Sequence, residues 1–414
     1  MNLEKISSRE MLQKTENSIH RFVDWLYSYG ETSYDYQSFF ASSLGGKAKS
    51  LYYKRPVLGK LAVAPFVFCE AVLPATRRFY WHKQRFPIAD AHYAMGFSFL
   101  YRITKEIKYH EKAVHFLEEL KKSRCPGYDH FCWGYPFNWE TRNGTMKKDM
   151  PLITTTPYAY EAFLSVYEID NNPEWLEILR SVAEHVYHDI IDYDFSHDAT
   201  TCSYSPEGHG GVLNASAYRA FLLTSASVLF SDEKYHQKAG KNINFILQSQ
   251  QANGSWFYSI DGIRDFIDHF HTCFVLKGLA KIEKLTGHQG CRNAINKGLD
   301  YYVENLFNDN GLPKPFSKAP RTTIYKQELY DYAECVNLCV LLKNSYPELD
   351  NILMAVLKDL LENWQKKDGS FRSRKLYFGW DNVPMHRWAQ SQLFRSLCFH
   401  LYQDRFGPKE SKVQ

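Results

Sequence analysis

The sequence contains no run of about 20 apolar residues, so nothing in it reads as a single helix crossing a bilayer. It also lacks a P-loop, a dinucleotide-binding glycine fingerprint, an HExxH pair and a GxSxG elbow. Those absences remove the commonest phosphate-cradling, zinc-protease and serine-hydrolase chemistries. Met1 to Ile19 is polar, without an apolar h-region, so a secretory signal peptide is not expected and a cytoplasmic location is. Charge of one sign is scarce: 50 Lys and Arg against 46 Asp and Glu leave +4, too little for a polybasic nucleic-acid binder. The 9 cysteines are an odd number, scattered singly, and the nearest pairs (Cys335/Cys339 and Cys125/Cys132) lack metal-finger spacing. Free thiols in a reducing compartment are expected, with no metal and no cofactor.

What the chain has in excess is aromatic side chains: 9 Trp, 29 Tyr and 28 Phe, 16% of 414 residues. So many rings imply a large core, an aromatic-lined cavity, or both. The chain is also built on a repeat. Gln248 to Trp256, Phe307 to Leu312 and Trp364 to Phe371 each run from the polar end of a helix through a glycine to an apolar or aromatic residue. Their glycines, Gly254, Gly311 and Gly369, lie 57 and 58 residues apart. Looser copies occur at Cys132-Trp133-Gly134-Tyr135 and Cys202-Ser203-Tyr204. A period near 57 fits two helices with one short and one long connection, an αα-hairpin. The expected fold is all-α, an (α/α)-barrel or toroid of about six helical hairpins with short β-hairpins in loops. Residues 91–405 would form the toroid, 1–90 a helical segment packed on it or completing it, and 406–414 a disordered tail.

The helix after each glycine turn is expected to line the inner wall. In the stretch from Asp265 to Leu279, residues 265, 268, 269 and 272 fall on one stripe that continues as Val275, Leu276 and Leu279. A face polar at its start and apolar beyond it suits a wall whose first turns line an open mouth and whose later turns fill the floor. Asp331 and Glu334 leading to Leu338, His386 and Gln390 leading to Leu393, and Asn214 and Tyr218 leading to Phe221 repeat the pattern. Converging helix N-termini would favour a polar or anionic ligand. Capping accounts for Asp265 but, on this reading, not for residues deeper in, such as Asp268, His271, Glu334 and Gln390.

Trp133-Gly-Tyr-Pro-Phe-Asn-Trp139 with Arg142, Asp268-His-Phe-His-Thr272, Asp331-Tyr-Ala-Glu334 and Arg387-Trp-Ala-Gln390 resemble motifs of bacterial α/α-toroid proteins encoded in exopolysaccharide and capsule biosynthesis clusters. More distantly they resemble the six-hairpin glycosidase superfamily. The similarity covers roughly residues 90–405, and it implies a toroid working in surface-glycan assembly.

Sugars are held by aromatic platforms and planar polar side chains. Trp133, Tyr135, Asn138, Trp139, Arg142, Tyr204, Asn214, Trp256, Tyr258, His386, Arg387, Trp388 and Gln390 are the expected substrate-binding residues. Glycoside hydrolysis needs two carboxyl groups, and Asp268, Asp331 and Glu334 are the candidates, the last two close enough on one helix to share a proton. Elimination or C5-epimerisation of a uronate instead needs a His or Tyr base such as His271, with a positive or amide group neutralising the carboxylate. The expected function is therefore a carbohydrate-active enzyme of surface-polysaccharide biosynthesis or modification, glycoside hydrolase-like. A uronate lyase or epimerase is the alternative, and a non-catalytic glycan-binding scaffold the alternative outside enzymes. The partner is an oligosaccharide or polysaccharide, acidic or lipid-linked. Asp268, His269 and His271 carry ligand-type atoms but, as near neighbours on a helix, point apart too far for a compact metal site.

One stretch stands outside this scheme. Leu61 to Cys69 is apolar and flanked by Lys47, Lys49, Lys54, Arg55 and Lys60 before it and by Arg77, Arg78, Lys83 and Arg85 after. It reads either as a helix held peripherally at an anionic membrane face through residues 47–85, or as a core helix with solvated ends.

Overall fold

Two kinds of helix alternate along most of the chain. In the computed structural model, which describes residues 8–407, the α-helices are α1 (Ser8–Tyr29), α2 (Ser38–Ala41), α3 (Ser43–Lys54), α4 (Pro56–Val72), α5 (Arg77–Tyr80), α6 (Pro87–Thr104), α7 (Ile107–Lys122), α8 (Thr156–Asp170), α9 (Pro173–His188), α10 (Leu213–Phe230), α11 (Glu233–Gln248), α12 (His269–Thr286), α13 (Gln289–Asn305), α14 (Leu329–Leu342), α15 (Leu349–Asp359) and α16 (Ser391–Phe406). Helices α7, α9, α11 and α13 each bury one apolar stripe and expose a charged face. Helices α6, α10 and α14 are buried on nearly every side. A helix apolar all round must lie inside and a striped one outside. Accordingly α6, α8, α10, α12, α14 and α16 pack neighbour to neighbour into a closed inner ring, each backed by an outer helix. The result is the expected (α/α) barrel of six hairpins.

Helix α1 is the outer partner that closes the ring, lying against α15 and α16. Glu31, just beyond its end, accepts from Lys112 and His115 of α7. The boundary expected at residue 90 falls inside α6. Of the tail expected over 406–414, Phe406 belongs to α16 and residues 408–414 lie outside the described residues.

The two ends of the barrel differ. Inner helices α6, α8, α10 and α12 each end on a left-handed residue (Lys105, Asn171, Ser231, Gly287) and turn at once into an outer helix. The return connections are long and carry the short β-hairpins, Trp139–Thr141 with Gly144–Met146 among them. The long loops therefore collect where the inner helices begin, and that end is the mouth. The repeat glycines have a physical reason. Gly254 (φ +89°) and Gly369 (φ +95°) sit where a Cβ would lie 2.1 Å from the Lys297 carbonyl oxygen and 2.2 Å from that of Arg21, each on the next outer helix. The nearby indoles serve the helix just finished: Trp133 Nε1 donates to Leu120 O at 2.8 Å and Trp256 Nε1 to Ile246 O at 2.9 Å, satisfying carbonyls near the helix end.

Between α1 and α6, residues 30–86 form a helical insert fastened over the mouth loops by buried ion pairs. Arg387 donates to both oxygens of Asp35 at 2.9 and 2.6 Å, with both side chains 3% exposed. Arg77 Nη1 lies 2.7 Å from Asp381 Oδ2, both fully buried. Arg374 bridges Glu70 of α4 (2.6 Å) and Glu328 (2.7 Å). Helix α4 is no core helix, which overturns that expectation: of its residues only Gly59 and Glu70 are buried.

Removing one member of a buried pair strands a desolvated charge at a cost of about 3–5 kcal/mol, whereas replacing both by apolar residues costs far less. Asp35→Ala should therefore lower unfolding free energy by about that amount in urea titration, and Asp35→Leu combined with Arg387→Met by markedly less.

Candidate functional site

The leading ends of the inner helices converge, but on a plug of rings. Phe270 at the start of α12, Tyr330 at the start of α14 and Trp388 just before α16 meet with centroid separations of 5.0, 4.5 and 5.7 Å. Below them Tyr158 of α8 and Tyr218 of α10 share a hydroxyl–hydroxyl hydrogen bond of 2.7 Å. The floor is not apolar as the periodicity predicts. Lys277 pairs with Glu334, Lys281 pairs with Glu161, and the Arg395 guanidinium lies 5.3 Å over the Tyr158 ring. Burial pulls both lysines below the ordinary range, Lys281 to about 8.

The open space lies beside this plug, between α10 and α12. A cleft there is lined by Asn214, Trp256, Tyr258, Phe266, Asp268, His271 and Thr272. It brings together five of the residues expected from sequence. About 10 Å³ of it is open to the centre of a water molecule, room for roughly one water. Helix α12 begins one turn later than the stripe from Asp265 predicts, because Ile267 and Asp268 pair as a short strand with Phe316–Lys318. Asp268 is thus the helix N-cap, which corrects the expectation that capping does not explain it. Its Oδ1 accepts the backbone N–H of His271 at 3.0 Å. The second oxygen is left over for chemistry: Oδ2 is 2.6 Å from Nδ1 of the same His271. With Nδ1–H donated to a carboxylate, the imidazole presents the lone pair of Nε2, and no bond to that atom is made among the described residues. His271 is 21% exposed and Asp268 2% by side chain. Tyr258 packs 4.7 Å from the His271 ring, its phenol pushed up to about 12, chiefly by burial. Asn214 is 2% exposed and its Oδ1 has no partner among the described residues.

Asp331 lies behind this wall, 1% exposed. Burial, then the charges of Glu328 and Asp268, hold its carboxyl well above the usual carboxylate range. Glu334 sits one turn deeper, ion-paired with Lys277, and no hydrogen bond joins it to Asp331 among the described residues. The proton-sharing Asp331/Glu334 pair expected from their spacing is therefore not formed.

Several expected substrate-binding residues prove structural. Trp133 and Trp256 brace the outer helices as described above, although one edge of Trp256 reaches the cleft. His386 is buried between Tyr93 OH at 2.5 Å and Gly30 O at 3.0 Å, and burial lowers its pKa to about 4. Arg387 is spent on Asp35 and sandwiched against Tyr36, Tyr135 and Trp388. Gln390 clamps the backbone of Phe371 from both sides, at 3.1 and 2.7 Å. Trp388 donates to Glu328 at 2.8 Å and belongs to the plug. Asn138 is exposed and holds the N–H of Lys148 at 2.8 Å, and Arg142 is exposed at the tip of the 139–146 hairpin. Tyr135, Trp139 and Tyr204 remain half-buried at the mouth, with Tyr204 OH accepting from Thr154 at 3.2 Å. His269 faces away from the cleft, bonded to Tyr302 OH at 2.8 Å and Leu306 O at 3.1 Å, and burial lowers its pKa to about 3. Among the described residues no group of three or more His, Cys, Asp or Glu is placed to hold a metal ion.

The sequence reading did not single out Tyr330, Phe270, Lys277 or Arg395, which fill the axis. The i, i+4 spacing of Lys277 and Lys281 within an otherwise apolar helix is the signal that points to them.

No protein-family model and no curated protein matches the sequence. Solved structures do. An unsaturated glucuronyl hydrolase specific for heparin superposes with a TM-score of 0.63 at 10% identity, covering 97% of this chain and 99% of that one. A possible member of the GH105 family from Salmonella enterica serovar Paratyphi A gives 0.62 at 11% identity, covering 98% and 97%. Cellobiose 2-epimerase from Bacillus thermoamylovorans gives 0.62 at 11% identity, covering 78% and 90%. The chain thus has the fold of six-hairpin glycosidase-type proteins.

Asp331 supplies a pH prediction. Because its folded pKa is raised, the unfolded chain sheds this proton first, and stability falls as pH rises above about 3.8. Asp331→Asn removes that titration, so the melting temperature of the variant minus that of the wild type should grow from pH 4 to pH 7 in thermal scans.

Proposed function

We propose that the protein is a carbohydrate-active enzyme of surface-polysaccharide biosynthesis or modification, with His271 as its proton-transferring group and Asp268 as the residue that positions it. The observation that carries this reading is the 2.6 Å contact between Asp268 Oδ2 and His271 Nδ1 at the edge of the cleft. A carboxylate fixing one imidazole nitrogen leaves the other free to take or give a proton. Among the described residues lining the cleft Asp268 is the one carboxyl group, whereas hydrolysis across a glycosidic bond uses two. The arrangement therefore favours the lyase or epimerase alternative over hydrolysis.

In that chemistry His271 Nε2 removes the proton on the carbon next to a uronate carboxylate, and the amide of Asn214 binds the carboxylate. Tyr258 donates its phenolic proton to the departing oxygen in elimination, or to the opposite face of the carbon in epimerisation. Cations around the mouth suit an acidic glycan: Lys49, brought to about 8 mainly by burial, feels the charge of Arg321, and Tyr53 beside it feels Arg321 and Arg142. The surface-glycan setting rests on the sequence resemblance.

Uronate-containing polysaccharides should yield new ultraviolet absorbance from C=C bonds (lyase) or solvent deuterium at the epimerised carbon. Reducing ends without that absorbance would mark a hydrolase, and binding without turnover a scaffold. His271→Gln should lower kcat by about 10²–10⁴-fold. Asp268→Asn keeps a good N-cap while changing the imidazole's partner, and should cost about 10–100-fold and shift the pH–rate profile. Undiminished turnover in His271→Gln removes it from the mechanism.

A further inference from the structure

Helix α4 turns its apolar side to solvent. Val57 (76% exposed), Leu61 (70%), Phe68 (58%) and Val72 (43%) follow one another at helical spacing along one face. Phe79 (73%) of α5 and Leu44 (71%) of α3 extend the apolar surface. The other face of α4 is rigidly seated. A Cβ at Gly59 would lie 2.1 Å from the Tyr52 Cα of α3, and Glu70 is held by Arg374. An apolar stripe this large, held out by a well-packed support, marks an interaction surface.

The charge around it identifies the occupant. From Ser38 to Arg85 the cations are Lys47, Lys49, Lys54, Arg55, Lys60, Arg77, Arg78, Lys83 and Arg85, and the one acid is Glu70, buried and ion-paired. Lys47, Lys54, Arg55, Lys60, Arg78 and Lys83 are exposed. A second copy of the chain meeting this face on itself would set the same cations against one another. An anionic bilayer takes both parts, the apolar stripe entering the acyl boundary and the cations meeting headgroup charge.

We infer that α4, with α5 and the basic residues around them, docks the protein flat on an anionic phospholipid surface. The helix lies on the membrane rather than crossing it. No single described helix is long and apolar enough to span; Pro56–Val72 and Pro74–Tyr80 reach that length and apolarity only together, and they are bent by 116° at their break, so they do not form a straight span. Because the insert is fastened over the mouth, docking holds the mouth loops near the lipid–water boundary. This inference needs nothing from the proposed chemistry.

The test is co-sedimentation of the full chain with vesicles of phosphatidylcholine alone or of phosphatidylcholine mixed with phosphatidylglycerol. Binding to the mixed vesicles that weakens as salt is raised is expected, with little binding to phosphatidylcholine alone. Leu61→Glu combined with Phe68→Glu, at exposed positions, should retain the wild-type melting curve and lose at least about tenfold in partition. Lys54→Glu and Lys60→Glu should each cost about fivefold or more, a lost cation at the surface being equivalent to about 1 kcal/mol. Absence of binding to either vesicle overturns the inference. So does a solution dimer of the wild type that Leu61→Glu converts to monomer.

Discussion

The mouth of this barrel is shaped by charges that have been taken out of water. Arg387 with Asp35 and Arg374 between Glu70 and Glu328 are buried, and such charges are tolerated only when hydrogen-bonded to their partners; Arg77 and Asp381, 2.7 Å apart, add a buried ion pair without that geometry. That requirement fixes more than the insert. Arg387 orders Tyr36, Tyr135 and Trp388 around its guanidinium, and Glu328 holds the Trp388 indole, so the aromatic plug takes its form from the same pairs. An apolar fastening of equal strength would allow the insert to slide; a bidentate one does not.

The plug and the buried charges beneath it divide the labour of the inner wall. Along the axis, Lys277 with Glu334 and Lys281 with Glu161 tie α12 to α14 and α8 through the ring centre. These groups look catalytic by type and position, yet each is matched to a fixed partner. An acid–base pair beside the cleft lies off the axis, where the late start of α12 makes Asp268 a cap and gives its spare oxygen to His271.

The fold was legible in the sequence because the backbone imposes it. Gly254 and Gly369 are needed where a side chain would strike the next outer helix, and Trp133 and Trp256 repeat because each outer helix ends with carbonyls to satisfy. The same regularity misleads about the site, since residues that recur for structural reasons resemble sugar platforms. Five cleft residues (Asn214, Trp256, Tyr258, Asp268, His271) were readable from their place at hairpin mouths. The fates of Arg387 and His386 were not, because their partners Asp35 and Gly30 are distant in sequence and outside the repeat. A strand pairing of two residues was enough to shift the start of α12 by a turn, and no local pattern announces it.

The place of α1 in the outer ring bears on how the chain is made. Its apolar stripe, with Phe22 against Phe371 and Phe394, is completed by residues near the other terminus. A ribosome releases that stripe well before Phe371 and Phe394, so α1 must wait for the last hairpin before the circle can close. Chaperone demand should therefore fall on α1 for as long as its apolar stripe waits uncovered.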